Sequence, residues 1–247
     1  MSIDEYKIFF PFETSIRQTI LNKFQDNSSY ICEKESFKDI EGSLKHHLNE
    51  SNEAYKKGSR QEYRDSIFNI ANYLYNSNFP EFYEPFQTYN LFNNLLDVFR
   101  QLTCVQIEEQ RGLDKDEKDL LIQSLKLLVI LSNRNDCCDY LDSIEFFDVI
   151  DEFINGSNAN AKFCRIPHID EDYSYLLIDS LANFSAFEEY NSKFTPSLIK
   201  YVIAGINSAP SPEYYKSPLR FFRNFFLHYD KVKQKDQINF FLGNLIS

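Results

Sequence analysis

Two adjacent cysteines lie in a strongly acidic stretch, residues 136–152, which reads DCCDYLDSIEFFDVIDE. Thiolates and carboxylates hold metal ions or carry redox chemistry, so this stretch is the first candidate site. Zinc sites, however, use cysteines about two to four residues apart, in two pairs that converge. Cys137 and Cys138 are adjacent, and the sequence has no second pair of cysteines at that spacing. The spacing therefore predicts two small buried residues rather than metal ligands.

The histidines give no stronger metal or catalytic signal. His46 and His47 are neighbours on a predicted helix, where they lie about 100° apart instead of on the single face that a zinc-protease motif requires. Cys164 and His168 offer half of a zinc site. The chain also lacks the glycine-rich phosphate loops and the nucleophile elbow of common enzyme classes. We therefore expect no catalytic residues, no metal and no cofactor.

A basic cluster near the end of the chain is the next candidate. Lys216, Arg220 and Arg223 have helical spacing and share one face of a predicted helix, and lysines follow at 231, 233 and 235. Three interpretations stay open: a solvated basic face, a docking patch for an acidic partner, or an RNA site. The net charge of −11 repels a phosphate backbone over most of the surface, which argues against general nucleic-acid binding.

Helical periodicity runs through almost the whole chain, and alternating strand patterns are nearly absent. Only 6 glycines and 8 prolines occur, which favours helices joined by polar loops. No apolar stretch is long enough for a membrane span, and an odd number of cysteines, 5, fits a reducing compartment. We expect a protein of the cytoplasm, with the nucleus as the other location, and no membrane insertion. The predicted helices lie near 13–25, 36–57, 60–76, 87–103, 117–133, 143–155, 172–187, 195–207, 216–229 and 232–246.

Helices after residue 60 form four pairs of similar sequence. The first helices contain SIFNIANYLYN, SLKLLVILSNR, LLIDSLANFSAF and PLRFFRNFFLHY, and an apolar helix follows each. Three of them carry an asparagine at one shared position, Asn72, Asn183 and Asn224, where the second helix of this set has Ile130. Without two polar insertions the repeating unit is roughly 40–45 residues.

SLANFS and FRNFF resemble the core of an armadillo repeat, and the apolar helix after each resembles that repeat's last helix. The resemblance covers about residues 60–247. It implies an all-α, armadillo/HEAT-like right-handed superhelix of about four repeats. It also implies that Asn72, Asn183 and Asn224 bond backbone groups between neighbouring repeats, which Ile130 cannot do. Residues 1–58 fit the repeat poorly, so we predict a helical N-terminal cap there and one continuous array over 59–247.

The acidic stretch then has a place in the array. Asp142 and Glu145 have the spacing of a capping pair, which predicts a loop up to about residue 143 and a helix after it. On that helix Glu145, Asp148 and Glu152 lie within about 60° of one another. The resemblance implies that the last helix of each repeat lines a concave groove that holds a partner. When the second helices are aligned by their apolar residues, one row of polar positions results. The residues in or beside this row are Asn90, Asn94, Asp97, Glu145, Asp148, Glu152, Lys200 and Asn239.

These patterns predict a non-catalytic scaffold or adaptor that binds a protein or peptide. Because the groove is partly acidic, a Lys/Arg-rich segment is the expected partner. The acidic face could also be plain solvated surface. A structural subunit of a larger assembly is the first alternative, and large exposed apolar patches would support it. A helical-repeat RNA-binding protein is the further alternative and needs a continuous basic strip. Armadillo-class nuclear-import receptors clamp basic peptides with tryptophan and asparagine, and the absence of tryptophan here argues against that activity.

Overall fold

The computed structural model describes residues 37–76, 84–109, 111–159 and 173–228. Every regular element in these ranges is a helix, which confirms the predicted all-α class for the described part of the chain. The chain divides between Ile40 and Glu41 into two compact units, and the second holds the described helices apart from the first residues of the helix that begins at Phe37. None of the described helices is long and apolar enough to cross a membrane. The helices predicted over 13–25 and 232–246 lie outside the described residues.

The α-helices are numbered here in chain order. They are α1 Phe37–Lys56, α2 Arg60–Asn76, α3 Glu84–Thr88, α4 Leu91–Glu108, α5 Lys115–Leu131, α6 Asn135–Ser143, α7 Phe146–Ala159, α8 Ser174–Phe184, α9 Pro196–Asn207 and α10 Lys216–Leu227. Two short 3₁₀ segments, Glu188–Lys193 and Pro212–Tyr215, precede α9 and α10.

The helices from α2 onward lie in two layers. The first helices of the predicted pairs contact one another in chain order, so that α2 packs on α5, α5 on α8, and α8 on α10. The second helices form the other layer, in which α4 packs on α7 and α7 on α9. Contacts between the layers join α4 to α5, α8 to α9, and α9 to α10. Each pair therefore contacts the next along the chain.

Helix starts follow local capping chemistry. Asp114 accepts a hydrogen bond from the Glu117 backbone N–H, and Glu117 accepts one in return from the Asp114 N–H, which together cap the first turn of α5. At α9 the Thr195 hydroxyl accepts a hydrogen bond from the Leu198 N–H, and Pro196 occupies the first turn, where its missing N–H costs nothing. Gly58, at φ 70°, makes the left-handed turn between α1 and α2.

The acidic stretch departs from its predicted structure. Residues 135–143, predicted as a loop, form α6, and the helix predicted from about 143 begins at Phe146. Glu145 lies in the break with a left-handed φ of 69°, and its N–H donates to the Asp142 carbonyl. The prediction was wrong because polar residues can form the exposed face of a short helix as well as a loop. Cys137, Cys138 and Leu141 form one buried face at helical spacing, which the sequence already contained.

Phenylalanine rings fill the spaces between neighbouring pairs. Phe99 of α4 meets Phe153 of α7 edge to face at 5.7 Å between ring centroids. Phe146 stacks on Phe184 at 4.6 Å, where α7 meets α8. Edge-to-face contacts of this kind add roughly 0.5–1.5 kcal/mol to the burial of the rings. The high aromatic content of the chain therefore serves packing in the described part of the array.

Candidate partner-binding surface

Two of the repeat asparagines join neighbouring helices of the first layer. Asn183 of α8 donates from Nδ2 to the Val129 carbonyl at 3.0 Å and to the Ser132 hydroxyl at 2.9 Å, both at the end of α5. Asn224 of α10 donates in the same way to the carbonyl of Ala182, at 3.3 Å, and to the hydroxyl of Ser185, at 3.4 Å. Bonds of this kind are the ones that the armadillo resemblance implies.

The other two positions of this set differ. Asn72 is half-buried on α2, the first along the chain of the helices that share this position. Ile130 is half-buried and packs against the core. The asparagine hydrogen bonds therefore occur at two successive junctions, α5–α8 and α8–α10. On α5, Ile130 makes an apolar contact at the same position.

Four of the acids in residues 136–152 are held by partners. Asp136 accepts from Arg134 on the same turn, at 2.9 and 2.5 Å. The other three reach the following pair: Asp139 accepts from the Tyr190 hydroxyl at 2.5 Å, Asp142 lies 3.0 Å from Lys193 Nζ, and Asp151 accepts from the Thr195 hydroxyl at 2.9 Å. Asp139, Asp142 and Asp151 therefore hold α6 and α7 against the segment that leads into α9, so their role is structural.

Three acids remain at the surface, and we call them the acidic stripe: Glu145, Asp148 and Glu152. All three are exposed, and Glu145 is 73% exposed with one cation, Arg100 of α4, at 3.7 Å. Among the described residues, no ion pair holds Asp148 or Glu152. The apolar side of α7 is closed, since Phe146, Ile150 and Phe153 are at most 1% exposed. Asp148 and Glu152 therefore lie on the exposed side of α7, whose other face is fixed in the core, and Glu145 lies in the break before it rather than on the helix as predicted.

The negative charge of Asp148, a member of the acidic stripe, influences the pKa of the neighbouring Asp151 carboxyl. Burial raises the pKa of the Asp151 carboxyl, the Thr195 hydroxyl opposes that shift, and the negative charge of Asp148 raises the pKa further. A cation brought to this surface would meet several carboxylates at once, which is the condition for attraction of a Lys/Arg-rich segment.

The rest of the predicted row is less uniform. Lys200 is exposed on α9, next to α7 in the second layer, and Asn90 is exposed at φ 54° just before α4. Asn94, however, is only 7% exposed and lies within the packing of α4. At this point of α4 the exposed asparagine is Asn93. Asn239 lies outside the described residues.

Asp97, also predicted for this row, is engaged elsewhere. It is half-buried and accepts hydrogen bonds from the Tyr55 hydroxyl of α1 and, at 2.9 Å, from Gln101. Burial and the bond to Asp97 raise the pKa of Tyr55 to about 12, so the phenol stays a donor. Asp97 therefore ties α4 to α1. Arg100, which the sequence interpretation passed over, is the residue of α4 that reaches the acidic stripe, and its place one turn from Asp97 was the available signal.

The predicted basic patch is divided by an acid. Arg220 lies 3.4 Å from the Asp179 carboxylate of α8 and also donates to the Asp179 carbonyl at 3.2 Å. Ser217 donates to the same carboxylate. Arg223 is exposed and Lys216 half-buried on α10. Arg220 therefore joins α10 to α8, and the three cations do not form one open surface. Lysines 231, 233 and 235 lie outside the described residues.

Cys137 and Cys138 are both fully buried thiols, which confirms their interpretation as packing residues. Burial raises the pKa of Cys137 to about 12, and the Cys138 thiol donates to the Ser132 carbonyl at 3.3 Å. In the described ranges no three His, Cys, Asp or Glu side chains come together as a metal site would require. His46 and His47 both lie beside Glu50, at 3.2 and 3.3 Å, on an exposed turn of α1. Cys164 and His168 lie outside the described residues.

Comparison with known proteins finds no matching family model, no matching curated protein and no matching solved structure.

Proposed function

We propose that this chain is a non-catalytic scaffold or adaptor, built as an armadillo/HEAT-like array, whose second layer of helices binds a protein segment rich in lysine and arginine. The layered packing of first helices on first helices and second on second supports the repeat assignment. The asparagine bonds at two successive junctions also support it.

The observation that carries the binding proposal is the contrast among the acids of residues 136–152. Asp139, Asp142 and Asp151 are taken up by contacts to the next pair, whereas the acidic stripe is exposed, with Asp148 and Glu152 on α7 and Glu145 in the break just before it. Asp148 and Glu152 lie four residues apart on α7, and like charges at that spacing repel at a cost of about 0.2–0.5 kcal/mol. A cationic partner segment would relieve that repulsion.

Charge reversal tests the proposal. Glu145, Asp148 and Glu152 are replaced together by lysine, and a control replaces by lysine three exposed acids of the first layer, Glu62, Asp65 and Asp116. Both variants change the net charge equally. Wild type, variant and control serve as baits for capture from a cytosolic extract, and the Lys/Arg-rich segment of a captured protein is then synthesised and titrated at several salt concentrations.

We expect the acidic-stripe variant to lose partners that wild type and control retain, and the affinity of the synthetic segment to fall as salt rises. Equal capture by all three chains would overturn the proposal. So would a segment whose affinity is unaffected by the acidic-stripe substitutions.

A structural subunit of a larger assembly is the second candidate function, and one observation favours it. Large exposed apolar side chains in the described residues are confined to α10 and the residue before it: Tyr215, Leu219, Phe226 and Leu227. An RNA-binding role has less support, because Asp179 neutralises Arg220 at the centre of the predicted basic patch.

A further inference from the structure

A cavity of about 180 Å³ lies beside the turn that joins α1 to α2. The end of α1, the turn and the start of α2 contribute lining residues, together with Val98 of α4 and Leu120 of α5. The volume is below the roughly 300–1,000 Å³ of pockets that hold cofactors and drug-sized molecules. The cavity therefore has room for a small ligand only.

One lining residue, Tyr63 of α2, carries a buried hydroxyl that lacks a hydrogen-bond partner among the described residues. Tyr63 is 2% exposed. The neighbouring ring, Tyr55 of α1, lies 5.2 Å away between centroids, but its hydroxyl donates to Asp97 instead. Buried hydroxyls are nearly always hydrogen-bonded, because burial of an unpaired polar group costs free energy. A ligand with an acceptor atom would satisfy the Tyr63 hydroxyl.

The start of α2 offers further hydrogen-bond donors to the cavity. Arg60 is a lining residue whose side chain is 58% exposed, and one guanidinium nitrogen lies 3.4 Å from the Glu117 carboxylate. A guanidinium has five N–H donors, so most of them are available to another acceptor. Ser59, also a lining residue, directly precedes the first turn of α2, where backbone N–H groups have no acceptor within the helix. These donors favour a ligand with a negative charge.

Two carboxylates contact lining residues of the cavity, and both are held by other groups of the protein. Asp97 accepts hydrogen bonds from the Tyr55 hydroxyl and, at 2.9 Å, from Gln101. Glu117 accepts two hydrogen bonds from Arg111, both at 2.7 Å. Among the described residues that line the cavity, the one charged side chain is a cation. That cation therefore sets the charge of the ligand that fits.

We propose that this cavity binds a small organic carboxylate. Its apolar body would pack against Ala54, Val98 and Leu120, which line the cavity and are at most 5% exposed. Its carboxylate would accept hydrogen bonds from the Arg60 guanidinium and the Tyr63 hydroxyl, an arrangement in which a charged acceptor strengthens both bonds. The proposal adds a small-molecule site to the chain and does not depend on the binding role of the acidic stripe.

A titration of the full chain followed by NMR at the backbone amides of Gly58 and Ser59 tests the proposal. The probes are isovalerate, isovaleramide and isoamylamine, which share a branched apolar body and carry a negative, neutral and positive head at neutral pH. Tyr63→Phe removes the unpaired hydroxyl, and Arg60→Gln removes the cation. Arg64→Gln is the matched control, because this arginine is on the same helix but outside the cavity.

We expect isovalerate to shift these amides saturably and to bind more tightly than the other two probes. Tyr63→Phe and Arg60→Gln should each weaken its binding about threefold to tenfold, and Arg64→Gln should leave it unchanged. Absence of a saturable shift, equal binding of the three probes, or preference for the amine would overturn the proposal. Equal weakening in the Arg64 control would do the same.

Unfolding in urea separates binding from a structural role of the Tyr63 hydroxyl. Because this hydroxyl has no partner among the described residues, Tyr63→Phe should leave the urea midpoint unchanged or raise it while weakening the binding of isovalerate. A lower midpoint would show that the hydroxyl is engaged within the protein, and unchanged affinity would show that it does not meet the ligand. Either result would overturn the proposal.

Discussion

Glu117 illustrates how a single buried carboxylate can be fixed by distant and local groups together. Its side chain is 1% exposed and accepts two hydrogen bonds from Arg111, both at 2.7 Å. It also completes the cap of α5 with Asp114 and lies 3.4 Å from Arg60 of α2. The bonds from Arg111 are the main reason that the pKa of Glu117 falls to about 2.

Replacing Glu117 should reveal this role in unfolding experiments. Glu117→Ala removes the cap and the bonds to Arg111, so we expect the free energy of unfolding at neutral pH to fall by about 1–3 kcal/mol. Glu117→Gln keeps a capping side chain and should cost less. Urea denaturation followed by circular dichroism measures both changes.

The pH dependence separates the charge of Glu117 from its cap. Because folding lowers the pKa of Glu117, its charge stabilises the fold above the ordinary value of 4.5, and that contribution is lost as pH falls toward about 2. The difference in stability between wild type and Glu117→Gln should therefore shrink across this window. A difference that stays constant with pH would contradict the assigned ion pair.

At the scale of helices, the packing of α8 on α9 depends on a glycine within a helix. Gly205 is inside α9, where alanine would ordinarily stabilise by about 0.5–1 kcal/mol. A Cβ at Gly205 would lie 2.4 Å from Ile178 Cδ1, and Ile178 is fully buried, so its side chain could move away only by displacing the surrounding core. Steric overlap in a closed core costs about 1–3 kcal/mol, so the overlap outweighs the gain in helix propensity.

A double-mutant cycle tests this contact. Gly205→Ala alone should destabilise by about 1–2 kcal/mol. Ile178→Val removes the Cδ1 atom, and in that background the same alanine should be neutral or stabilising. Thermal or urea unfolding of the four chains gives the coupling energy. Additive effects would show that the two residues do not meet as described.

At the scale of the whole molecule, the two-layer array should be most stable at its centre. α5 and α8 have first-layer neighbours on both sides, whereas α10 has one such neighbour, α8, among the described helices. In an array, each unit is stabilised mainly by the units it touches. Local opening should therefore cost less free energy at α10 than at α5 or α8.

Native-state hydrogen exchange across the described helices measures this gradient. We expect backbone amides of α5 and α8 to exchange more slowly than those of α10, with the order preserved over a range of low denaturant concentrations. Uniform exchange rates in all first-layer helices would instead indicate one globally cooperative unit.

Much of the layered fold could be predicted from the sequence, because helical periodicity reports which face of each helix is buried. It predicted α2 at Arg60–Asn76 and placed the proline-led start of α9 within a residue. It did not predict α6, whose short buried face lies among acidic residues. It also did not predict the left-handed break at Glu145, which depends on the turn into α7.

The candidate site was less accessible to such reasoning, because periodicity within one helix carries no information on partners elsewhere in the chain. The sequence by itself determined that acids gather at residues 136–152 and that Cys137 and Cys138 lack the spacing of a metal site. Only the tertiary structure decided that Asp139, Asp142 and Asp151 meet Tyr190, Lys193 and Thr195 while the acidic stripe stays outward. The physical reason is that side chains some 44 to 51 residues apart come together only when neighbouring pairs pack.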